Sequence, residues 1–198
     1  MSIIVEHEKR RREILEKALD VFVDDGYEGT TFQKIAGRCG ITRTTLYIYF
    51  KNKKDIFNYS IKLLLAKVEE DIQIILSDTS LDSINKITKV LTNIFELLEE
   101  NRRLLMVILG YLLHISKNNG DPEQLVRRRT LKLRRFLSSM IIEGVKSKEL
   151  IATTNIKAAA DLLYSLFEAA IFRLVILQRK TVGDLRKTAV FAISRLAP

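Results

Sequence analysis

The stretch from Ile41 to Phe57, ITRTTLYIYFKNKKDIF, decides how the whole chain is read. It opens on Thr42, Thr44 and Thr45 around Arg43 and continues with Tyr47, Tyr49 and Phe50. Lys51, Lys53 and Lys54 follow before the pattern turns apolar again. Working outward, residues 30–54 hold six basic side chains and no carboxylate, in a chain whose formal net charge is +9. A solvated face usually mixes signs, so a unipolar basic block is the footprint expected for phosphate binding.

The local pattern places this block on two short helices. Thr30 or Thr31 can cap a helix carrying Phe32, Ile35 and Ala36, which Gly40 ends. Thr42 caps a second helix from Arg43 to about Ile48, and Asn52 with Asp55 resembles a capping box for a third. Helix, tight turn and short helix make a helix-turn-helix, whose second helix can lie in a major groove about 12 Å wide. Phe32, Ile35, Ala36, Ile41, Leu46 and Phe50 are expected inside, with the preceding helix at 8–24. Arg43, Thr44, Thr45, Tyr47, Ile48 and Tyr49 are then left outside. Arginine can grip guanine O6 and N7 together, threonine offers a hydroxyl and a methyl, and tyrosine hydroxyls and Lys53 suit phosphate oxygens.

The run TTFQKIAGRCGITRTTLYIYFKNKKDIF resembles the DNA-binding signature of the TetR/AcrR family of bacterial transcriptional regulators. The matching positions are Thr31, Ile35-Ala36, Gly40-Ile41-Thr42, Thr44-Thr45-Leu46-Tyr47, Tyr49-Phe50 and Asn52-Lys53. Thr44 stands where many members have Gly, and Tyr49 where His is frequent. The resemblance implies an all-α fold with a helix-turn-helix DNA-binding domain at 1–54. A larger helical domain at 55–198 would bind a ligand and dimerise. The DNA-binding set carried over or read above is Thr31, Thr42, Arg43, Thr44, Thr45, Tyr47, Tyr49 and Lys53. The implied function is a repressor that binds a palindromic double-stranded operator as a homodimer and is released by a small-molecule effector.

Beyond residue 55 the residues must carry the reading. Two prolines and eight glycines among 198 residues leave long uninterrupted segments that favour helices. On the long fourth helix, Ile56, Tyr59, Leu63, Ala66 or Lys67, Glu70 and Ile74 trace one side. Five more helices are expected, with Asp121-Pro122, Asn155 and Thr181 starting the last three. Stripes through Leu162, Ser165, Ala169 and Phe172, and through Leu185, Ala189, Ala192 and Leu196, are the expected dimer interface; small residues let helices approach closely. Phe95, Tyr111, His114, Arg129, Tyr164, Phe167 and Glu168 are polar or aromatic residues in apolar surroundings, and a ligand pocket between helices could be lined by them. Arg129, if inward, could anchor an anion such as an acyl thioester.

Other classes are disfavoured. Cys39 is the only cysteine and there are two histidines, so no zinc set, catalytic constellation or cofactor motif is visible, and neither metal, cofactor nor enzymatic activity is expected. The N-terminus turns charged too early for a signal peptide, and the apolar run Leu104 to Ile115 falls short of the roughly 20 residues a membrane span needs. A cytoplasmic protein without membrane contact is expected. The competing reading keeps the DNA binding but gives the larger domain a protein partner in place of a small ligand.

Overall fold

The computed structural model describes residues 2–198, with side chains for 5–127 and 130–198. Among the described residues every regular element is an α-helix: α1 (Ser2–Gly29), α2 (Phe32–Cys39), α3 (Arg43–Tyr49), α4 (Lys53–Ser77), α5 (Ser83–Glu100), α6 (Arg102–Lys117), α7 (Pro122–Lys146), α8 (Ile156–Val175) and α9 (Gly183–Ser194). The all-α fold expected from the sequence is what forms. The chain divides into two compact units, residues 1–71 with 106–114, and residues 72–105 with 115–198. By packing, the first unit runs past residue 54 and recruits the middle of α6.

In the first unit α1 supplies Ile14, Leu15, Ala18, Val21 and Phe22, which close on Ile35 and Ala36 of α2, Leu46 of α3, and Ile56, Phe57 and Ile61 of α4. Two buried hydroxyls in this core are satisfied. Ser60 donates to the Leu15 carbonyl at 2.8 Å, and Thr30 donates to the Gly26 carbonyl at 2.6 Å. Thr30 therefore locks the end of α1, and Thr31 caps α2. The end of α1 kinks at Gly26, where φ is 72° and ψ 171°, a conformation that only glycine adopts without strain.

The buried side of α4 differs from the expected stripe. Phe57, Ser60, Ile61, Ile72 and Ile75 join Ile56 inside, whereas Tyr59 and Ile74 are exposed. The bulky apolar chains of Phe57 and Ile61 set the inward face. A stripe through Lys67 and Glu70 would have pulled charges out of water.

In the second unit α5 packs against α7, α8 and α9, and α7 against α8. Ile87, Leu91 and Phe95 of α5 meet a core that includes Leu137, Ile141, Leu163, Leu174 and Ile193. The last turn of α7 is closely approached at Gly144, where a Cβ would lie 2.6 Å from Leu150 Cδ1 and 2.8 Å from Ser83 Cβ at the start of α5. Asp121 and Asn155 cap α7 and α8 as expected, their side chains accepting from the backbone N–H of Gln124 and Ala158. Thr181 does not cap α9. Val182 holds that position with no side-chain cap, and its N–H donates instead to Glu99 of α5 at 2.7 Å. Glu99 also pairs with Arg186, so one carboxylate fastens the start of α9 to α5.

Candidate nucleic-acid interface

The recognition unit is built by caps. Gly40 ends α2 in the left-handed conformation (φ 68°, ψ 33°), and Ile41 N–H closes on the Ala36 carbonyl at 3.0 Å. One extended residue later, Thr42 Oγ1 accepts the Thr45 N–H at 3.0 Å and starts α3. Thr31 does the same for α2 at 3.3 Å, and Asn52 Oδ1 accepts from Asp55 N–H at 2.8 Å to start α4. Leu46 and Phe50 anchor α3 to the core.

What remains outside is an ordered surface. Arg43 and Thr44 are exposed, Thr45 is half-buried, and Ile48 is 69% exposed. Tyr47 is held on two sides: it stacks on Phe32 of α2 at 4.6 Å, and Arg43 Nη2 donates to its hydroxyl at 3.0 Å. Side chains fixed in this way lose less freedom when they meet a ligand. Thr42 and Thr45 hydroxyls lie 2.8 Å apart, so part of their hydrogen-bonding capacity is used internally.

The six cations of the basic block are not equivalent. Lys34 pairs with Asp25 at 3.2 Å and Arg38 with Asp24 at 2.9 Å, so both are balanced by carboxylates of α1. Lys53, read from sequence as a phosphate contact, turns its ammonium to the Tyr27 carbonyl at 2.7 Å and to the Glu28 carbonyl at 3.4 Å. It also lies 4.5 Å from the centre of the Tyr27 ring. Those carbonyls sit at the kinked end of α1, where the helix leaves acceptors short of donors. The exposed positive charge is thereby concentrated on Arg43, Lys51 and Lys54.

The residues expected to line a ligand pocket are divided between the two units. Tyr111 and His114 belong to the first unit. Tyr111 is buried against Tyr27, with ring centroids 4.3 Å apart, and His114 Nδ1 lies 3.0 Å from Glu28 Oε1. Burial pushes the phenols of both Tyr27 and Tyr111 upward. Phe95 is a core residue of the second unit, and Tyr164 is buried with its hydroxyl donating to Thr130 Oγ1 at 3.2 Å. Phe167 is half-buried and Glu168 exposed; the Arg129 side chain lies outside the described residues. An open groove of about 630 Å³ does occur in the first unit, between α1 and α4, lined by Arg11, Arg12, Tyr59, Lys62 and Leu63 among others.

The two expected interface stripes also part company. On α8, Leu162 and Phe172 are more than half exposed, Ser165 is exposed, and Ala169 is half-buried. On α9, Leu185 and Ala189 are buried in the unit's own core, with Ala192 and Leu196 half-buried. The correction has a simple cause: α5 already covers that side of α9, so its exposed large residues are Val190 and Phe191. Sequence periodicity finds an apolar face but not which neighbour takes it.

A capped short helix set across a tight turn, with its outer side chains pre-tied and positive, defines a helix-turn-helix DNA-binding protein. Residues 14–59 match the family described as "Bacterial regulatory proteins, tetR family". The fatty acid metabolism regulator protein of Bacillus subtilis (strain 168) is 24% identical over 163 residues, 80% of each chain. The biofilm operon icaADBC HTH-type negative transcriptional regulator IcaR of Staphylococcus aureus (strain Newman) is 39% identical over 49 residues, 25% of this chain and 26% of its own. A crystal structure of FadR from Bacillus subtilis, in complex with stearoyl-CoA, shares the fold with a TM-score of 0.66 at 23% identity, covering 93% of this chain and 96% of that one. Together these similarities support a transcriptional regulator of the TetR type, with the family match confined to the recognition unit and its flanking helices. Among the described residues, no helix is long and apolar enough to cross a membrane, and no group of three or more His, Cys, Asp or Glu could hold a metal ion.

Proposed function

We propose that the protein is a repressor that binds a two-fold symmetric operator as a homodimer and releases it when a small molecule binds the helical second unit. The DNA-binding half of this reading rests on α3, where Thr42 sets the start of the helix and Arg43, Thr44, Thr45 and Tyr47 face outward together. Arg43 and Thr44 are the base readers. The Tyr47 and Tyr49 hydroxyls, with the N–H groups at the starts of α2 and α4, meet phosphates. Repression is favoured by the similarity, over 49 residues, to a negative regulator.

Dimerisation is supported by the exposed apolar line Leu162, Phe172 and Ile176 on and just beyond α8, flanked by Val190 and Phe191 of α9. Exposed large apolar residues in register are what a helix-packed subunit interface needs. An acyl-CoA is the first effector to try, because the relatives include a fatty acid metabolism regulator and a structure holding stearoyl-CoA. Release follows from linkage: a ligand favouring the dimer form whose recognition helices are wrongly spaced lowers operator affinity by that same preference.

The test selects duplexes from a randomised library with the purified full chain and then titrates stearoyl-CoA into the complex. Recovery of a palindromic site, with release on addition of the thioester, is expected. Recovery of a site without release by any acyl-CoA would leave the regulator reading intact and sink the acyl effector. Failure to enrich any sequence would remove the operator reading.

A further inference from the structure

The first turns of α1 lie ahead of the matched stretch 14–59, yet they touch the recognition unit. His7 stacks on Tyr49 at the end of α3, with ring centroids 4.6 Å apart and planes 23° from parallel. One turn further along the same face of α1, the Arg11 guanidinium lies 5.4 Å from the Phe50 ring centre and 4.6 Å from that of Tyr59. This (i, i+4) pair runs down the aromatic edge where α3 ends and α4 begins. The two members differ in exposure: Arg11 is half-buried, while His7 is exposed and leaves its ring edge open beside Tyr49. Glu6 and Glu8 flank His7 on α1, and Glu8 lies 3.9 Å from Arg11 Nη1, so its charge is drawn to the arginine.

We propose that His7 is a DNA-backbone contact, placing an imidazole N–H beside the Tyr49 hydroxyl so that the two rings grip one phosphate at the end of α3. This deepens the DNA-binding reading and rests on its assignment of Tyr49 to a phosphate. The stack fixes both rings before binding, so the pair presents two donors at little cost in side-chain freedom. A contact to a phosphate carries no base information, and its loss weakens binding equally on every sequence.

Full-length His7→Ala, His7→Phe and His7→Gln are compared with the natural chain on a library-selected duplex and on a scrambled one. His7→Ala is expected to lose about tenfold in affinity on both duplexes. His7→Phe, which keeps the stack but has no N–H, should lose as much, and His7→Gln, which restores a side-chain N–H, should recover most of it. Natural affinity in His7→Phe would show that the ring acts only by stacking and would overturn the proposal. A loss confined to the selected duplex would also overturn it, because His7 would then act by aiming α3 at bases. His7 is exposed near the start of α1, so these changes leave the core intact, and a thermal unfolding curve for each variant checks that. If the natural chain selects no duplex at all, the DNA-binding reading fails before this one is reached.

Discussion

Helices α3 and α8 both expose large side chains, and the difference between them separates two kinds of surface. On α3 the exposed Tyr47 and Ile48 stand among Arg43, Thr44 and Lys51, and Arg43 is already tied to the Tyr47 hydroxyl. On α8 the exposed Leu162 and Phe172 continue into Ile176, with Glu168 and the Asp184-paired Arg173 the charges among them. Exposure beside oriented cations suits a polyanion, whereas exposure in a continuous apolar line suits another protein surface. The same accessible area therefore supports opposite partners, and the neighbours decide which.

The comparison breaks most severely at Phe172. A Phe172→Glu change puts a charge in the middle of the apolar line; if that line is the subunit interface, dimers should fall apart at micromolar concentration. Operator affinity should then drop by more than about 100-fold, because a monomer reads one half-site and the charge cannot be buried unpaired. Sedimentation and DNA titration on the same sample check both effects. A Phe172→Glu protein that stays dimeric would move the interface elsewhere. Next in size, Arg43→Ala should cost about 1–3 kcal/mol of discrimination and relax the sequence preference at one position of each half-site. Uniform weakening at all positions would reassign Arg43 to a phosphate.

The sequence disclosed α3 far better than α8 for a physical reason. Caps, turn glycine and apolar anchors of the recognition unit are local, so Thr42, Gly40, Asn52 and Leu46 could be placed from spacing alone, and each holds that place. The second unit is fastened by contacts between residues distant in sequence. Glu99 starting α9, and Ser83 of α5 donating its N–H to Glu149 at 2.8 Å, leave no local trace. Nor does the tight approach at Gly144. The α9 stripe shows the same limit: Leu185 and Ala189 have the period of an interface, but they are buried on the side where α9 packs on α5. Among the expected pocket residues Phe95 and Tyr164 are buried in the second unit's core, since aromatic character within apolar runs does not tell core from cavity. Even in the first unit, Lys53 had the type and position of a phosphate contact, but the kinked end of α1 competes for it.

A smaller effect should follow from loosening the start of α3. Thr42→Ala removes the acceptor for the Thr45 N–H and should cost about 1 kcal/mol of stability, measurable by urea unfolding. DNA affinity should fall as well, by more than the same stability loss introduced on α8 through Asn155→Ala, since only α3 carries the readout. Equal affinity losses from the two cap deletions would mean that global stability, and not the geometry of α3, sets binding.

Lys53 gives the finest test of the contrast, because it sits in the first unit with a tie of the kind that fastens the second. Its ammonium has three N–H groups, and the Tyr27 and Glu28 carbonyls engage two. If it serves as a cap for α1, Lys53→Met should lower stability by about 1 kcal/mol, the usual net worth of such a hydrogen bond. The slope of log affinity against log salt would then stay as in the natural chain. If DNA draws the ammonium away to a phosphate, that slope should become shallower by about 0.9 for each copy bound. Stability and salt slope are independent readings of the same substitution, so the pair of measurements assigns Lys53 to the fold, to the DNA, or to an exchange between them.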